Sequence, residues 1–259
     1  MPVRDRLRQV NTLLFDLDGT LLGNDLDVFL PRYLRAVAAT AAEVVDPQRF
    51  VGHLLAATEE MVVSTDHRRT NADVFAAAFY PALQLVCEEW EPVFERFYRE
   101  EFGKLRSLTV VRPEARRVLD HAVAAGYQLV LATNPVFPRI ALLERMRWAE
   151  VDEYPWALVT DYETMHWCKP QAGYYQEILD LVGREGSQCL MVGNDVEEDL
   201  VAGELGIVTF LETAYRIQRR PGPTGADFEG TLDDLHQLLR AAGVARSARR
   251  DGNGQPEIT

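Results

Sequence analysis

Apolar residues follow two different rhythms along this chain. Residues 10–15 form a short apolar run that stops at Asp16 and then meets Gly19, the pattern of a buried strand feeding a loop. From residue 25 to residue 105 the apolar positions recur at helical spacing, in stretches such as LDVFLPRYLRAVAATAAEV and ADVFAAAFYPALQLV. That spacing predicts an all-helical insertion without strands. Helix boundaries are expected at Asp46-Pro47, across the polar residues 64–71, and at Glu91-Pro92.

Beyond Pro113 the pattern alternates. Helices are predicted over residues 114–125, 139–147, 174–182 and 197–204, and strands over 127–132, 157–159, 188–192 and 207–211. Strands alternating with helices over short loops imply a parallel sheet covered on both faces. The expected architecture is a doubly wound, Rossmann-like α/β domain interrupted after its first strand by a helical domain. Residues 1–24 and 106–245 would form the core and residues 25–105 the insertion. A helix over residues 232–242 is expected to pack on the sheet, and the polar segment 246–259, with its Gly and Pro, is expected to be disordered.

Charge narrows the partners. Against 27 Lys plus Arg stand 40 Asp plus Glu, a formal net charge of -13, and a field of that sign repels nucleic acid and anionic lipid. It also repels a phosphorylated small molecule unless a metal ion and a basic residue sit locally. Cys87, Cys168 and Cys189 lie far apart without a CxxC pair, which suits free thiols in a reducing compartment rather than a zinc site. No signal peptide pattern and no run of roughly 20 apolar residues is present, so a cytoplasmic, non-membrane protein is expected.

In open parallel sheets ligands gather at the carboxyl ends of the strands. Three predicted strand ends carry polar groups here: Asp16-Leu17-Asp18-Gly19-Thr20, then Thr133-Asn134, then Asn194-Asp195 followed by Glu197, Glu198 and Asp199. Alternate residues leaving a strand point the same way, so Asp16 and Asp18 can face one ligand, one as nucleophile and the other as general acid/base. The plainer reading is a turn capped by two carboxylates. Asp195 and Asp199 could join Asp16 around a hard cation such as Mg²⁺, or could simply favour the start of the next helix. Thr133 and Asn134 offer groups for a phosphate oxygen, as well as ordinary turn chemistry. Lys169 is one of only two lysines in the chain, the other being Lys104, and a compact ammonium can bridge a carboxylate and a phosphate.

Taken in order, FDLDGTLL, LATN, CKP and VGND with DVEED resemble the haloacid dehalogenase-like hydrolase superfamily. The resemblance implies Asp16 as nucleophile, Asp18 as general acid/base, Thr133 as phosphate ligand and Lys169 as the residue steadying nucleophile and phosphoryl group. It implies Mg²⁺ held by Asp16, the backbone carbonyl of Asp18 and acids of the last motif, with the helical insertion as a mobile cap. The family usually places an acid directly after the glycine ending that strand, where this chain has Asn194. Either Asn194 is a neutral ligand or Asp195 binds the metal, with Asp199 in support, and charge favours Asp195.

Dehalogenases of this superfamily lack the second aspartate, so Asp18 argues for phosphoryl transfer. The function expected is Mg²⁺-dependent hydrolysis of a small phosphorylated metabolite through an aspartyl-phosphate, with specificity set by the cap. A phosphomutase would use the same core residues, and a non-catalytic binding member of the fold is a further alternative. His67-Arg68-Arg69 is a candidate contact for an anionic substrate, with a solvated connecting loop as the alternative.

Overall fold

The computed structural model describes residues 3–251, with side chains from residue 5 to residue 242. After a short helix α1 (Val3–Arg6), strand β1 (Thr12–Phe15) is fully buried and stops one residue short of Asp16. Strand β2 (Leu22–Asn24) follows, then four helices: α2 (Leu26–Ala39), α3 (Pro47–Val63), α4 (Asn71–Leu83) and α5 (Cys87–Glu100). A 3-10 segment (Phe102–Leu108) leads to strand β3 (Thr109–Val111), which pairs antiparallel with β2. The helical insertion therefore enters and leaves the core through a two-stranded ribbon, which the helical spacing did not predict.

Local chemistry explains most of these boundaries. Asp46 caps α3 by accepting from the backbone N–H groups of Gln48 and Arg49, with Pro47 at the first helical position. Thr70 and Asp73 form a reciprocal capping box on α4, and Gln84 ends that helix in the left-handed conformation. The boundary expected at Glu91-Pro92 is not there. Pro92 lies inside α5, and the connection falls at residues 84–86 instead.

The rest of the chain alternates as expected: α6 (Pro113–Ala124), β4 (Gln128–Leu131), α7 (Arg139–Trp148), β5 (Trp156–Val159), α8 (Ala172–Val182) and β6 (Cys189–Gly193). Then come a single-turn helix α9 (Val196–Asp199) continued by a 3-10 segment (Leu200–Leu205), β7 (Val208–Glu212), β8 (Phe228–Gly230) and α10 (Leu232–Asp251). Helix α10 runs into the segment expected to be disordered, and residues 252–259 of that segment lie outside the described residues.

Six parallel strands form the main sheet in the order β5-β4-β1-β6-β7-β8. The order reverses direction at β1, which has β4 on one side and β6 on the other. This is the doubly wound fold, with an inserted all-helical domain. Because β1 is the switch point, the loops after β1, β4 and β6 converge at one crevice. Among the described residues no helix is long and apolar enough to cross a membrane.

Candidate active site

The main chain leaving β1 is locked to both neighbours. The Asp16 N–H donates to the Val192 carbonyl at 2.9 Å, and the Ala132 N–H donates to the Phe15 carbonyl at 2.7 Å. Asp16, Thr133 and Asn194 are all buried at this junction. The turn after Asp18 requires glycine: Gly19 has φ +82°, and a Cβ there would stand 2.3 Å from Asn194 Nδ2. Arg112, buried beside the ribbon, donates to the Gly19 and Thr20 carbonyls at 3.3 and 2.8 Å and to Glu212 at 2.8 Å. That arginine holds the turn from below.

Lys169 reaches this junction from the loop before α8. Its ammonium, 1% exposed, donates to Asp16 Oδ1 at 2.9 Å and to Asp199 Oδ1 at 2.6 Å. Asp199 is itself fixed, because its other oxygen accepts the Asp195 N–H at 2.9 Å. Burial works against the lysine charge, but Asp16 and Asp199 outweigh it and hold the ammonium well above the ordinary lysine range. Burial pushes the Asp16 carboxyl up to about 8, with Lys169 pulling it down and Asp199 pushing it up. One ammonium thus serves two buried carboxylates.

Asp18 is held by both oxygens. Oδ1 accepts from Asn24 Nδ2 at 2.8 Å, and Oδ2 pairs with the guanidinium of Arg145 on α7. Arg145 is 2% exposed, lies 4.3 Å from the Phe137 ring centre, and has no partner for its Nε. Neither Asn24 nor Arg145 belongs to a motif recognisable in the sequence. The available signal was spacing: Ala141, Arg145 and Trp148 share the buried stripe of α7, so a charged residue stands where an apolar one belongs.

The last loop divides its labour. Asp195 caps α9, its Oδ1 accepting from the Glu197 and Glu198 N–H groups at 3.0 Å each, and Arg219 lies 2.7 Å from its Oδ2. Asn194 accepts from the Thr20 hydroxyl at 3.1 Å and donates to the Tyr215 carbonyl at 2.8 Å. Thr133 has its carbonyl bonded by the Thr160 and Tyr174 hydroxyls at 2.7 and 2.8 Å. Asn134 donates to Glu198 at 3.1 Å and accepts the Lys169 N–H at 3.2 Å, so its amide ties two loops together.

The structure therefore brings Asp16, Asp18, Thr133, Asn134, Lys169, Asn194, Asp195 and Asp199 into one site. A cavity of about 1180 Å³ opens from it toward α2, α3, α4 and α5. His67, Arg68 and Arg69 are not on its wall; Arg68 pairs with Asp66 at 2.8 Å and Arg69 donates to the Asp73 carbonyl at 2.7 Å.

A doubly wound parallel sheet with an acidic turn at its switch point defines a class of α/β protein with a crevice at the strand ends. A model of the haloacid dehalogenase-like hydrolase family matches residues 10–205, and the chain belongs to that family. Among solved structures, it is similar to a haloacid dehalogenase-type phosphatase from Thermococcus onnurineus, at 19% identity over 89% of this chain and 98% of that one, with a TM-score of 0.58. A predicted phosphoglycolate phosphatase from Haemophilus somnus matches at 18% identity over 89% and 98% of the two chains, TM-score 0.56. A 2-haloacid dehalogenase from Pseudomonas syringae pv. tomato matches at 18% over 90% and 99%, TM-score 0.57. These likenesses concern the fold. No curated protein matches the chain.

Proposed function

We propose that the protein hydrolyses a phosphate monoester, with Asp16 as nucleophile and Asp18 as general acid/base. The observation that carries the reading is the presence of Asp18 beside Asp16, together with Lys169 bonded to Asp16. In the first step an Asp16 oxygen bonds to phosphorus, the ester P–O bond breaks, and Asp18 gives its proton to the leaving oxygen. In the second, water attacks the aspartyl-phosphate, Asp18 takes the water proton, and inorganic phosphate leaves Asp16 free. Thr133 serves as the phosphate ligand and Lys169 neutralises the phosphoryl oxygens while holding Asp16 in line. A displacement of halide would need no proton for its leaving group, so it would leave Asp18 without a task.

The donor set fits a hard cation. Asp16, Asp18, Asp195, Glu198 and Asp199 are matched by only Lys169, Arg145 and Arg219, which leaves the junction with surplus negative charge. Among the described residues no group of three or more His, Cys, Asp or Glu side chains is arranged to enclose a metal. Mg²⁺ commonly rests on one or two carboxylates and takes its other positions from water and substrate phosphate. The proposed ligands are Asp16, the Asp18 carbonyl and one side chain of the last loop, with Asp199 in support through Lys169. Asn194 is the less costly choice there, because its oxygen holds one hydroxyl donor, whereas three donors occupy Asp195. When bound, Mg²⁺ supplies positive charge against the phosphate oxygens.

Release of nitrophenol from p-nitrophenyl phosphate tests the reading. It is expected to require Mg²⁺, to stop with EDTA, and to be lost in Asp16→Asn. Undiminished turnover in Asp16→Asn excludes the mechanism, and release of halide from a 2-haloacid would identify a dehalogenase instead.

A further inference from the structure

The cavity beyond the carboxylates is poor in free cations and rich in aromatic rings. Phe75 and Phe94 from the inserted helices and Phe137 of the core line it as half-buried rings, with the fully buried Phe29, Phe50 and Phe79 packed behind them. Its volume of about 1180 Å³ exceeds even the roughly 300–1,000 Å³ typical of drug-sized ligand sites. A phosphoryl group with a two- or three-carbon polar leaving group would leave most of that apolar wall uncovered. Tyr33 and Tyr98 also border the cavity, yet their hydroxyls bond each other at 2.8 Å. That bond spends one of the two hydroxyl hydrogens, so the pair offers a polyhydroxylated substrate only one further donor.

The cations on the wall decide the charge of the substrate. Every arginine bordering the cavity faces a carboxylate: Arg99 pairs with Glu95, Arg139 with Asp161, Arg145 with Asp18, Arg147 with Glu144, and Arg219 with Asp195. Lys169 is taken by Asp16 and Asp199. No wall cation is left unmatched for a second anionic group, while Asp73, Glu91, Glu163 and Glu198 add negative charge to the same wall. A carboxylate or second phosphate on the leaving group would enter a field that repels it.

We infer that the substrate is the phosphate monoester of a bulky, largely apolar alcohol or phenol that carries no second anionic group. This deepens the phosphatase reading and rests on it. The phosphoryl group lies against Asp16, Thr133 and Lys169, and the apolar leaving group fills the aromatic cavity between the core and the inserted helices.

The test compares kcat/KM for 1-naphthyl phosphate, glycerol phosphate and phosphoglycolate, with Mg²⁺ present. The naphthyl ester is expected to exceed both others by about 100-fold, the order of advantage that burying a bicyclic apolar group gives. Phe94→Ala, at a half-buried position on the wall, is expected to cut that preference about tenfold. Phosphoglycolate or glycerol phosphate turned over as well as the naphthyl ester would overturn the inference. Titration of Asp16→Asn with 1-naphthyl phosphate, read by naphthyl fluorescence, separates the two claims. Binding there that Phe94→Ala weakens, with no turnover by the unmodified enzyme, would uphold the apolar pocket and defeat the phosphatase reading; absence of binding and of turnover would defeat both.

Discussion

Arg145 and Asp18, 127 positions apart in sequence, form a buried ion pair at the mouth of the aromatic cavity. A carboxylate shared with a guanidinium and an amide is held in one orientation, beside the nucleophile that it is proposed to serve. Before Asp18 can hold a proton for a leaving group, its contact with Arg145 has to loosen. Arg145→Met is expected to cost roughly 3 kcal/mol of stability, because it strands a largely buried carboxylate. Urea unfolding measures this, and Arg145→Met combined with Asp18→Asn should cost less than the two separate losses together. The same variant should lower kcat about tenfold or more through misplacement of Asp18. Unchanged kcat would remove Arg145 from any positioning role.

Lys169 stands between two carboxylates that nothing else neutralises to the same degree. Lys169→Met is expected to lose at least about 100-fold in kcat, the scale of removing one charge-stabilising donor. It is also expected to lose roughly 3 kcal/mol in stability through the buried repulsion of Asp16 and Asp199. Lys169→Arg should not rescue activity. The side chain is 1% exposed and its Nζ lies 6.0 Å from the Tyr174 ring centre, so a planar guanidinium has no room to make the same two contacts. Recovery of more than half of the activity by arginine would show that charge alone suffices.

How far these features were visible in the sequence depends on distance along the chain. Asp16, Thr133 and Asn194 were legible because each ends an apolar run that can only be a buried strand, and Lys169 because lysine is so rare here. The ribbon of β2 and β3 was not, since three-residue strands are too short to show alternation. Helix α5 was misread at its start because Val86 supplies no capping side chain, so Pro92 gave the more conspicuous signal. Arg112 and Arg145 act on carbonyls and carboxylates about 90 to 130 residues away, and no local pattern encodes that.

A histidine away from the site should set part of the pH dependence of stability. Burial holds the His121 imidazole below its usual value, with the nearby His236 and Arg240 adding to the effect, and its Nε2 is buried without a partner. The unfolded chain then takes up a proton more readily than the folded one between the depressed value and about 6.5. Stability is therefore expected to be full above about pH 6.5 and to fall as the pH drops through the window below it. His121→Gln should flatten this part of the curve. Melting temperatures between pH 7.5 and pH 5 measure it, and an equal fall in the variant would place the acid sensitivity elsewhere.

Metal binding can be read without turnover. A cation that binds only the folded protein raises its melting temperature with concentration. MgCl₂ is expected to do so here and EDTA to reverse it, since the surplus carboxylate charge around Lys169 otherwise has nothing to balance it. Asp16→Asn should abolish the shift. Between the two residues of the last loop, Asp195→Asn keeps a side chain able to cap α9, whereas Asn194→Ala removes the oxygen that now faces Thr20. The shift should survive better in Asp195→Asn than in Asn194→Ala. The reverse order would make Asp195 the ligand, and it would mean that Arg219 gives up its ion pair when the metal enters.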